Sequence, residues 1–148
     1  MSKVRVTLAP SSRLSETSLE TAQFGTVFSD HMLIANYENG HWGEPEIVPY
    51  GPLPLPPAPS ALHYGQAVFE GFRAHRALDG RIALFRPRDN HARLNRSAAR
   101  LVMPEVPASL FLDGMTHFVE AYQGKDVVID VLKAGEDAAP DRRLLAQQ

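Results

Sequence analysis

A run of arginines is the strongest candidate in this sequence for binding an anion. Five lie between positions 86 and 100: Arg86, Arg88, Arg93, Arg96 and Arg100. A guanidinium can make two parallel hydrogen bonds to a phosphate or a carboxylate, so such a side chain could hold either group. The four-residue spacing of Asp89 and Arg93 also allows a surface ion pair worth about 0.3–0.5 kcal/mol. From spacing alone, that simpler interpretation is favoured.

Upstream of the arginines lies a dense group of aromatic side chains. The group consists of His63, Tyr64, Phe69 and Phe72, with Gly65 and Gly71 beside them. Glycine lets a ligand approach the backbone closely, which would suit a binding pocket. A packed core with a bulge explains the same residues, and from the residues alone it is the better interpretation. Glu70 has no carboxylate partner at an informative spacing, so no acid–base pair is predicted.

Two helices are predicted downstream of the aromatic group. The first has Pro87 in its first turn and ends at Pro104. The second runs from Pro107 to Gln123 with Gly124 as its C-terminal cap, and Gly114 weakens it slightly. The predicted apolar face of the first consists of Leu94, Ala98, Leu101 and Val102, and that of the second of Phe111, Met115, Phe118 and Tyr122.

Strands are predicted where apolar and polar residues alternate or where β-branched residues cluster. The segments are His31–Glu38, His41–Val48, Phe69–Ala77, Ile82–Arg86 and Asp126–Leu132. Asn39-Gly40 and Asp79-Gly80 have the sequence of tight type I′ hairpin turns. Six prolines between Pro49 and Pro59 exclude a helix and a central strand there. They predict an extended surface connector in preference to a polyproline recognition motif.

Composition limits the class of protein. A chain of 148 residues with 44% hydrophobic and 22% charged residues can bury the core of one domain. The lack of cysteine excludes disulfides and thiolate chemistry, and the six histidines form no metal-binding motif. The net charge of −2 predicts neither a nucleic-acid nor a membrane partner, and no apolar run is long enough to span a bilayer. A cytoplasmic location is expected.

Three stretches are specific enough to compare with a known family. They are FGTVFSDHM (Phe24–Met32), SALHYGQAVFEGFRAHRALDGRIALFRP (Ser60–Pro87) and DNHARLNRSAARLVMPEVP (Asp89–Pro107). Together they resemble the N-terminal domain of branched-chain-amino-acid aminotransferases, which are pyridoxal-phosphate enzymes of fold type IV. The resemblance implies an α/β (α+β) fold with helices packed on an antiparallel sheet. The expected divisions are a flexible tail (1–22), the small aminotransferase domain (23–123), and a divergent segment (124–148) with one strand and a frayed end.

The resemblance also implies roles for single residues. Arg93 matches the arginine that binds the phosphate of pyridoxal phosphate, in place of the ion pair with Asp89. Phe24, Tyr64 and Phe69 match aromatic residues that surround the branched side chain of the substrate, where each buried methylene is worth about 0.8 kcal/mol. The implied reaction transfers an amino group between leucine, isoleucine or valine and 2-oxoglutarate, and the implied assembly is a homodimer.

The family's covalent machinery is expected outside this chain. The resemblance implies that the lysine that bonds to the cofactor belongs to a second, C-terminal domain, and none of Lys3, Lys125 and Lys133 has a matching context. We therefore expect no catalytic residue here and a truncated protein that is inactive alone. The alternatives are half of a split enzyme, a non-catalytic dimerisation module, or a D-amino-acid transaminase or aminodeoxychorismate lyase of the same fold type.

Overall fold

Eight strands and three helices make up the part of the chain that the structure, a computed structural model, describes: residues 4–13, 25–121, 127–134 and 142–147. The strands are β1 (Arg5–Val6), β2 (His31–Glu38), β3 (His41–Trp42), β4 (Glu46–Pro49), β5 (Ala67–Arg76), β6 (Ile82–Leu84), β7 (Val127–Ala134) and β8 (Arg142–Gln147). The helices are α1 (Ser60–Tyr64), α2 (Pro87–Arg100) and α3 (Ala108–Ala121). Helices on a largely antiparallel sheet are the α+β arrangement expected from the sequence.

The strands form one sheet in the order β1-β4-β2-β8-β7-β5-β6, with β3 paired to β2. Neighbours are antiparallel except β1 and β4, which are parallel. Leu33 of β2 lies opposite Ile47 of β4, and β5 pairs with β7 from Ala67 to Ala74. Strand β5 therefore lies inside the sheet, with a neighbour on each side.

Strand β5 sends alternate side chains to the two faces of the sheet. From Val68 to His75, the buried side chains are those of Val68, Glu70, Phe72 and Ala74, and the exposed ones are those of Phe69, Arg73 and His75. This period of two is the geometry of a strand. The buried set faces the helices, since the Phe72 ring lies 5.8 Å from the ring of Phe111 in α3. One strand thus presents a carboxylate to the helices and an aromatic ring to the opposite face.

The hydrophobic core lies between the sheet and helices α2 and α3. The stripe predicted for α3 is confirmed at Phe111, Met115 and Phe118, which are all fully buried. Its fourth member, Tyr122, and the predicted cap at Gly124 lie outside the described residues.

The apolar face predicted for α2 is only half right. Leu94 and Ala98 are fully buried, but Leu101 is partly exposed and Val102 is 82% exposed. The helix ends at Arg100, and Val102 adopts a φ of 55°, so the chain no longer follows the helical path. Helical spacing predicts burial only as far as the helix continues.

Gly114 allows a close approach between α3 and the sheet. A Cβ atom at this position would lie 2.9 Å from Cδ2 of Leu33, closer than ordinary van der Waals contact. The sequence suggested only that this glycine weakens the helix. Its position in the structure gives a reason for tolerating that cost, because a larger residue would require the Leu33 side chain or α3 to shift.

The two hairpin turns differ from each other. Asn39 and Gly40 both have positive φ angles, 52° and 85°, as the predicted type I′ turn requires. In the second turn only Gly80 has a positive φ, 84°, and its N–H donates to the carbonyl of Ala77 at 2.9 Å. This is a type I turn followed by a left-handed glycine, so the type I′ prediction at Asp79-Gly80 was wrong.

Both ends of the described chain make contacts beyond the single C-terminal strand, Asp126–Leu132, that was predicted there. Near the N-terminus, β1 pairs with β4, the Ala9 N–H donates to Nε2 of His31 at 2.9 Å, and Arg13 Nη2 donates to the carbonyl of Ser29 at 2.7 Å. Near the C-terminus, β7 continues to Ala134, and β8 pairs with both β7 and β2. Sheet hydrogen bonds therefore hold segments that composition alone assigned to frayed ends. The domain boundaries after residues 22 and 123 stay a prediction.

The proline-rich segment connects β4 to α1 and forms neither helix nor strand from residue 51 to 59. Part of it borders a groove of about 590 Å³ together with Met32, Ile34 and Val48. Alternation along the strands puts these three residues on the face opposite the core. None of the groove's lining residues belongs to β5 or α2. No helix in the described ranges combines the length and the apolar character needed to cross a membrane.

Candidate anion-binding site

Arg93 of α2 and Glu70 of β5 form an ion pair at the edge of the core. Arg93 donates from Nε to Oε2 of Glu70 at 2.6 Å and from Nη2 to Oε1. The same Oε1 accepts a hydrogen bond from Nδ2 of Asn90 at 2.9 Å and one from the Gly71 N–H at 3.1 Å. The carboxylate side chain is only 2% exposed, so these four donors replace the water it has lost.

The local sequence explains why these groups meet. Glu70 lies at a buried position in the alternation of β5, between Val68 and Phe72, so its side chain must point towards the helices. Asn90 and Arg93 are three residues apart on α2 and therefore lie on neighbouring positions of one helix face. The helix places a neutral donor and a cation over the same carboxylate.

The surroundings of Glu70 keep it charged. Burial by itself would raise the pKa of the Glu70 carboxyl, but hydrogen bonds from Arg93 and Asn90, the charge of Arg93 and the Gly71 N–H together lower that pKa below its usual value. In turn, the hydrogen bond and the charge of Glu70 raise the pKa of Arg93. The pair is therefore a carboxylate with a guanidinium at every pH near neutrality.

The outer edge of the Arg93 guanidinium faces solvent. Its side chain is 60% exposed although its inner edge is bound to a buried partner. A guanidinium has five N–H donors, and Glu70 occupies one on Nε and one on Nη2. The donors on Nη1 and on the outer side of Nη2 remain in position for a second anion, which could accept two parallel hydrogen bonds.

Asn95 and His91 hold the loop between α2 and α3 against α2. The Asn95 amide donates to the carbonyl of Val106 and accepts from its N–H, both at 2.9 Å. Nε2 of His91 lies 2.7 Å from the same carbonyl, and its ring lies 5.4 Å from that of Phe111. These contacts fix the side of α2 adjoining the face that carries Asn90 and Arg93.

The predicted aromatic residues have different surroundings from Arg93. Tyr64, at the end of α1, is 81% exposed, and Phe69 is 58% exposed on the face of β5 opposite Glu70. Phe24 lies outside the described residues. The described part of the chain therefore brings Arg93 to Glu70 but does not by itself enclose Tyr64 and Phe69 in an apolar pocket. Their role in substrate binding stays a prediction.

Sequence reasoning missed Glu70 and Asn90 and named a different partner for Arg93. In the structure Asp89 pairs with Nε of Arg86 at 2.6 Å, so the pair of Asp89 with Arg93 favoured by spacing was wrong. A usable signal was present: Glu70 occurs in phase with Val68, Phe72 and other apolar residues on the buried side of a strand. A buried carboxylate requires a cation or several donors, and α2 supplies the cation Arg93 and the donor Asn90.

Among the residues that the structure describes, no group of three or more His, Asp or Glu side chains could hold a metal ion.

The sequence is similar to several enzymes of one kind. It is 51% identical over 98 residues to branched-chain-amino-acid transaminase 1 of Bacillus subtilis (strain 168), across 66% of this chain and 28% of that protein. It is 41% identical over 105 residues to the branched-chain-amino-acid aminotransferase of Mycolicibacterium smegmatis, across 70% of this chain and 28% of that protein. This chain is a relative of the branched-chain-amino-acid aminotransferases. No protein-family model matches it.

Solved branched-chain aminotransferases share the fold. The T.th. enzyme complexed with N-(5′-phosphopyridoxyl)-L-glutamate matches with a TM-score of 0.57 and 27% identity, over 76% of this chain and 39% of that chain. The Escherichia coli enzyme matches with a TM-score of 0.62 over 79% of this chain and 39% of its own, and at 21% identity it bears on the fold alone. The expected α+β fold is confirmed. The chain spans about 28% of the length of the branched-chain aminotransferases it matches in sequence.

Proposed function

We propose that this chain provides part of the active site of a branched-chain-amino-acid aminotransferase and that Arg93 binds the phosphate of pyridoxal phosphate. One observation carries the proposal: a buried carboxylate holds the inner edge of the guanidinium while its outer edge faces solvent. The two parallel N–H groups of such an edge match two phosphate oxygens. Similarity to branched-chain aminotransferases, one of them complexed with a phosphopyridoxyl compound, favours this cofactor over other anions.

Pyridoxal phosphate, when bound, supplies an electron sink that lets an amino group move between an amino acid and a 2-oxo acid. The residues of this chain fit the phosphate end of the cofactor, because Arg93 keeps free donors at the surface. No lysine is among the side chains that the structure describes. Covalent attachment of the cofactor is therefore assigned to none of them, and we propose that this chain alone has no transaminase activity.

The proposed substrates are leucine, isoleucine or valine and 2-oxoglutarate. Tyr64 and Phe69 would contribute two aromatic walls to the substrate site, with Phe24 as a third. The exposure of the first two supports this role, because a ring that is 81% or 58% exposed still has apolar surface to bury against a ligand or a second domain. By family resemblance, the complete assembly would be a cytoplasmic homodimer.

A second candidate is an assembly module, or half of a split enzyme, that works only with another polypeptide. One observation favours it: Tyr64, Phe69 and Phe85 expose large aromatic surfaces. A partner that covered these rings would remove their apolar surface from water. This candidate predicts oligomers of the chain without turnover of leucine.

The phosphate role is tested by calorimetric titration of the chain with pyridoxamine 5′-phosphate, which has no aldehyde to react with surface lysines. Pyridoxamine, which lacks the phosphate, is the matched ligand control. We expect the wild-type chain to bind pyridoxamine 5′-phosphate, to bind pyridoxamine much more weakly, and to release the phosphate ester when inorganic phosphate is added.

Two variants complete the test. Arg93→Ala should lower the affinity at least tenfold, whereas Arg100→Ala, which removes an exposed guanidinium two helical turns further along α2, should leave it nearly unchanged. Equal affinities of the wild-type chain and Arg93→Ala would overturn the phosphate role. Turnover of leucine and 2-oxoglutarate by the wild-type chain alone would overturn the proposal that it is inactive.

A further inference from the structure

We infer that Glu70 is a positioning residue for anion binding: it fixes the guanidinium of Arg93 so that its outer edge is presented to a phosphate. The inference deepens the proposed function and rests on it. Nothing in the sequence assigned this carboxylate a role, and the structure shows it as the only described group that Arg93 contacts by a hydrogen bond or an ion pair.

Two contacts together determine how the guanidinium lies. An arginine on the surface of a helix samples many rotamers when its end is free. A single ion pair would still allow the guanidinium to rotate, but bonds from both Nε and Nη2 to one carboxylate fix the plane of the group and its direction. The remaining donors then point away from β5, on the exposed side of the helix.

Glu70 can orient Arg93 because it is itself held in place. The Asn90 amide and the Gly71 N–H both donate to Oε1, and the side chain is 2% exposed. It therefore keeps its position without help from a ligand, and it cannot turn outwards to contact the anion directly. Its effect on the anion must pass through Arg93.

The negative charge of Glu70 should weaken phosphate binding, whereas its positioning of Arg93 should strengthen it. The direction in which the affinity changes when the charge is removed therefore tests the inference. A carboxylate close to a bound phosphate repels it, so removing the charge strengthens binding if electrostatics dominates. If positioning dominates, removing the carboxylate weakens binding although a repulsion is lost. Glu70→Gln separates the two, because the amide keeps one acceptor but presents an NH₂ group where Arg93 needs a second.

The experiment compares the affinities of the wild-type chain, Glu70→Gln and the charge control Glu44→Gln for pyridoxamine 5′-phosphate. Glu44 lines the separate groove, none of whose lining residues belongs to α2, so its variant loses the same charge at a different site. We expect Glu70→Gln to bind about tenfold more weakly and Glu44→Gln to bind as the wild-type chain does. The thermal unfolding midpoint of each variant is measured so that affinities are compared between folded chains.

A double-mutant cycle distinguishes positioning from a general structural role. In the Arg93→Ala background, Glu70→Gln should cause no further loss of affinity for inorganic phosphate or pyridoxamine 5′-phosphate, because Glu70 acts only through Arg93. A general loosening of the fold would lower the remaining affinity in both backgrounds. That result would overturn the inference.

The remaining outcomes distinguish failure of the positioning role of Glu70 from failure of the phosphate role of Arg93. If Arg93→Ala loses binding while folded Glu70→Gln binds as tightly as the wild-type chain or more tightly, positioning is wrong and the phosphate role stands. If the wild-type chain binds no phosphate, both fail. Should Glu70→Gln not fold, the nitrogen-15 spectrum of the wild-type chain decides: positioning requires a slowly exchanging Nε–H signal that Arg93→Ala removes, and its absence overturns the inference.

Discussion

The side-chain amide of Asn95 pairs with the backbone of Val106 much as a second strand would. It donates to the carbonyl and accepts from the N–H, both at 2.9 Å, and Val106 is fully buried. Asparagine has one donor group and one acceptor at the correct separation for this exchange. Asn95 thereby holds the loop between α2 and α3 at both backbone groups of one residue, and His91 adds a contact to the same carbonyl.

We expect Asn95→Ala to lower the free energy of unfolding by about 2–3 kcal/mol, because it removes two hydrogen bonds and leaves the buried Val106 N–H without its partner. Urea unfolding followed by circular dichroism measures the change. Arg96→Ala, one residue further along α2 at an exposed position, should change the free energy by less than about 0.5 kcal/mol. Equal stabilities of Asn95→Ala and Arg96→Ala would contradict the importance of the pair.

Replacing Gly114 tests the close approach of α3 to β2. Alanine usually stabilises a helix interior by about 1 kcal/mol relative to glycine. At position 114 that gain should be cancelled, because the added methyl would lie 2.9 Å from Cδ2 of the buried Leu33. In a Leu33→Ala background, where the contact is removed, Gly114→Ala should again be stabilising. The test compares the unfolding free energies of the wild-type chain, Gly114→Ala, Leu33→Ala and the double variant. If Gly114→Ala stabilises both backgrounds equally, the contact with Leu33 does not limit the residue at position 114.

Glu70 should make the stability of the chain depend on acidity. Its pKa is lower in the folded chain than its usual value of 4.5, because hydrogen bonds and the charge of Arg93 outweigh the effect of burial. The unfolded chain therefore binds the proton more tightly, so the carboxylate stabilises the fold above its usual pKa, and this contribution is lost as the pH falls through the folded pKa.

The expected measurement is a shrinking difference in unfolding free energy between the wild-type chain and Glu70→Gln as the pH is lowered from about 7 towards 3. Asp30 provides a positive control. Burial raises its pKa, but hydrogen bonds from Ser12 and Arg13 and the charge of Arg13 lower it overall, so Asp30→Asn should show the same trend. If the difference in unfolding free energy between the wild-type chain and Glu70→Gln stays constant with pH, the pKa of Glu70 is not lowered in the folded chain.

Arg93→Lys tests whether the anion requires two directed donors or only a positive charge. Lysine keeps the charge but cannot bind Glu70 and a phosphate through two separate edges of one planar group. We expect the affinity for pyridoxamine 5′-phosphate to fall on the order of tenfold, comparable to the loss of one charge-assisted hydrogen bond. Titration calorimetry gives the ratio, and Arg100→Lys is the matched control. Full retention of affinity by Arg93→Lys would argue for a simple charge effect.

Features that depend on neighbouring residues were predictable from the sequence. The type I′ turn at Asn39-Gly40 needs only two residues with positive φ, and the α3 stripe needs only helical spacing. The type of the turn at Gly80 was predicted wrongly because it depends on whether the loop between the two strands has two residues or three. The prediction that Val102 is buried was wrong because the helix ends two residues earlier, at Arg100.

The partner of Arg93 was not predictable by the same reasoning. Glu70 lies 23 residues away on another element, and the contact depends on which face of β5 the helix covers. Family resemblance named Arg93 but not the carboxylate, because it transfers roles and not contacts. Strand β7 was predicted from its β-branched residues, but β8 was not, since it pairs with β2, which lies far away in the sequence.

The alternation along β5 restricts the kinds of change that this chain can accommodate during evolution. Phe69 and Glu70 are adjacent in sequence yet serve opposite faces of the sheet. Inserting or deleting a single residue before them would exchange the two faces, hiding the ring and exposing the acid in one event. The strand can therefore diversify by substitution, whereas a length change in the turn from Ala77 to Arg81 would leave the alternation at Phe69 and Glu70 intact.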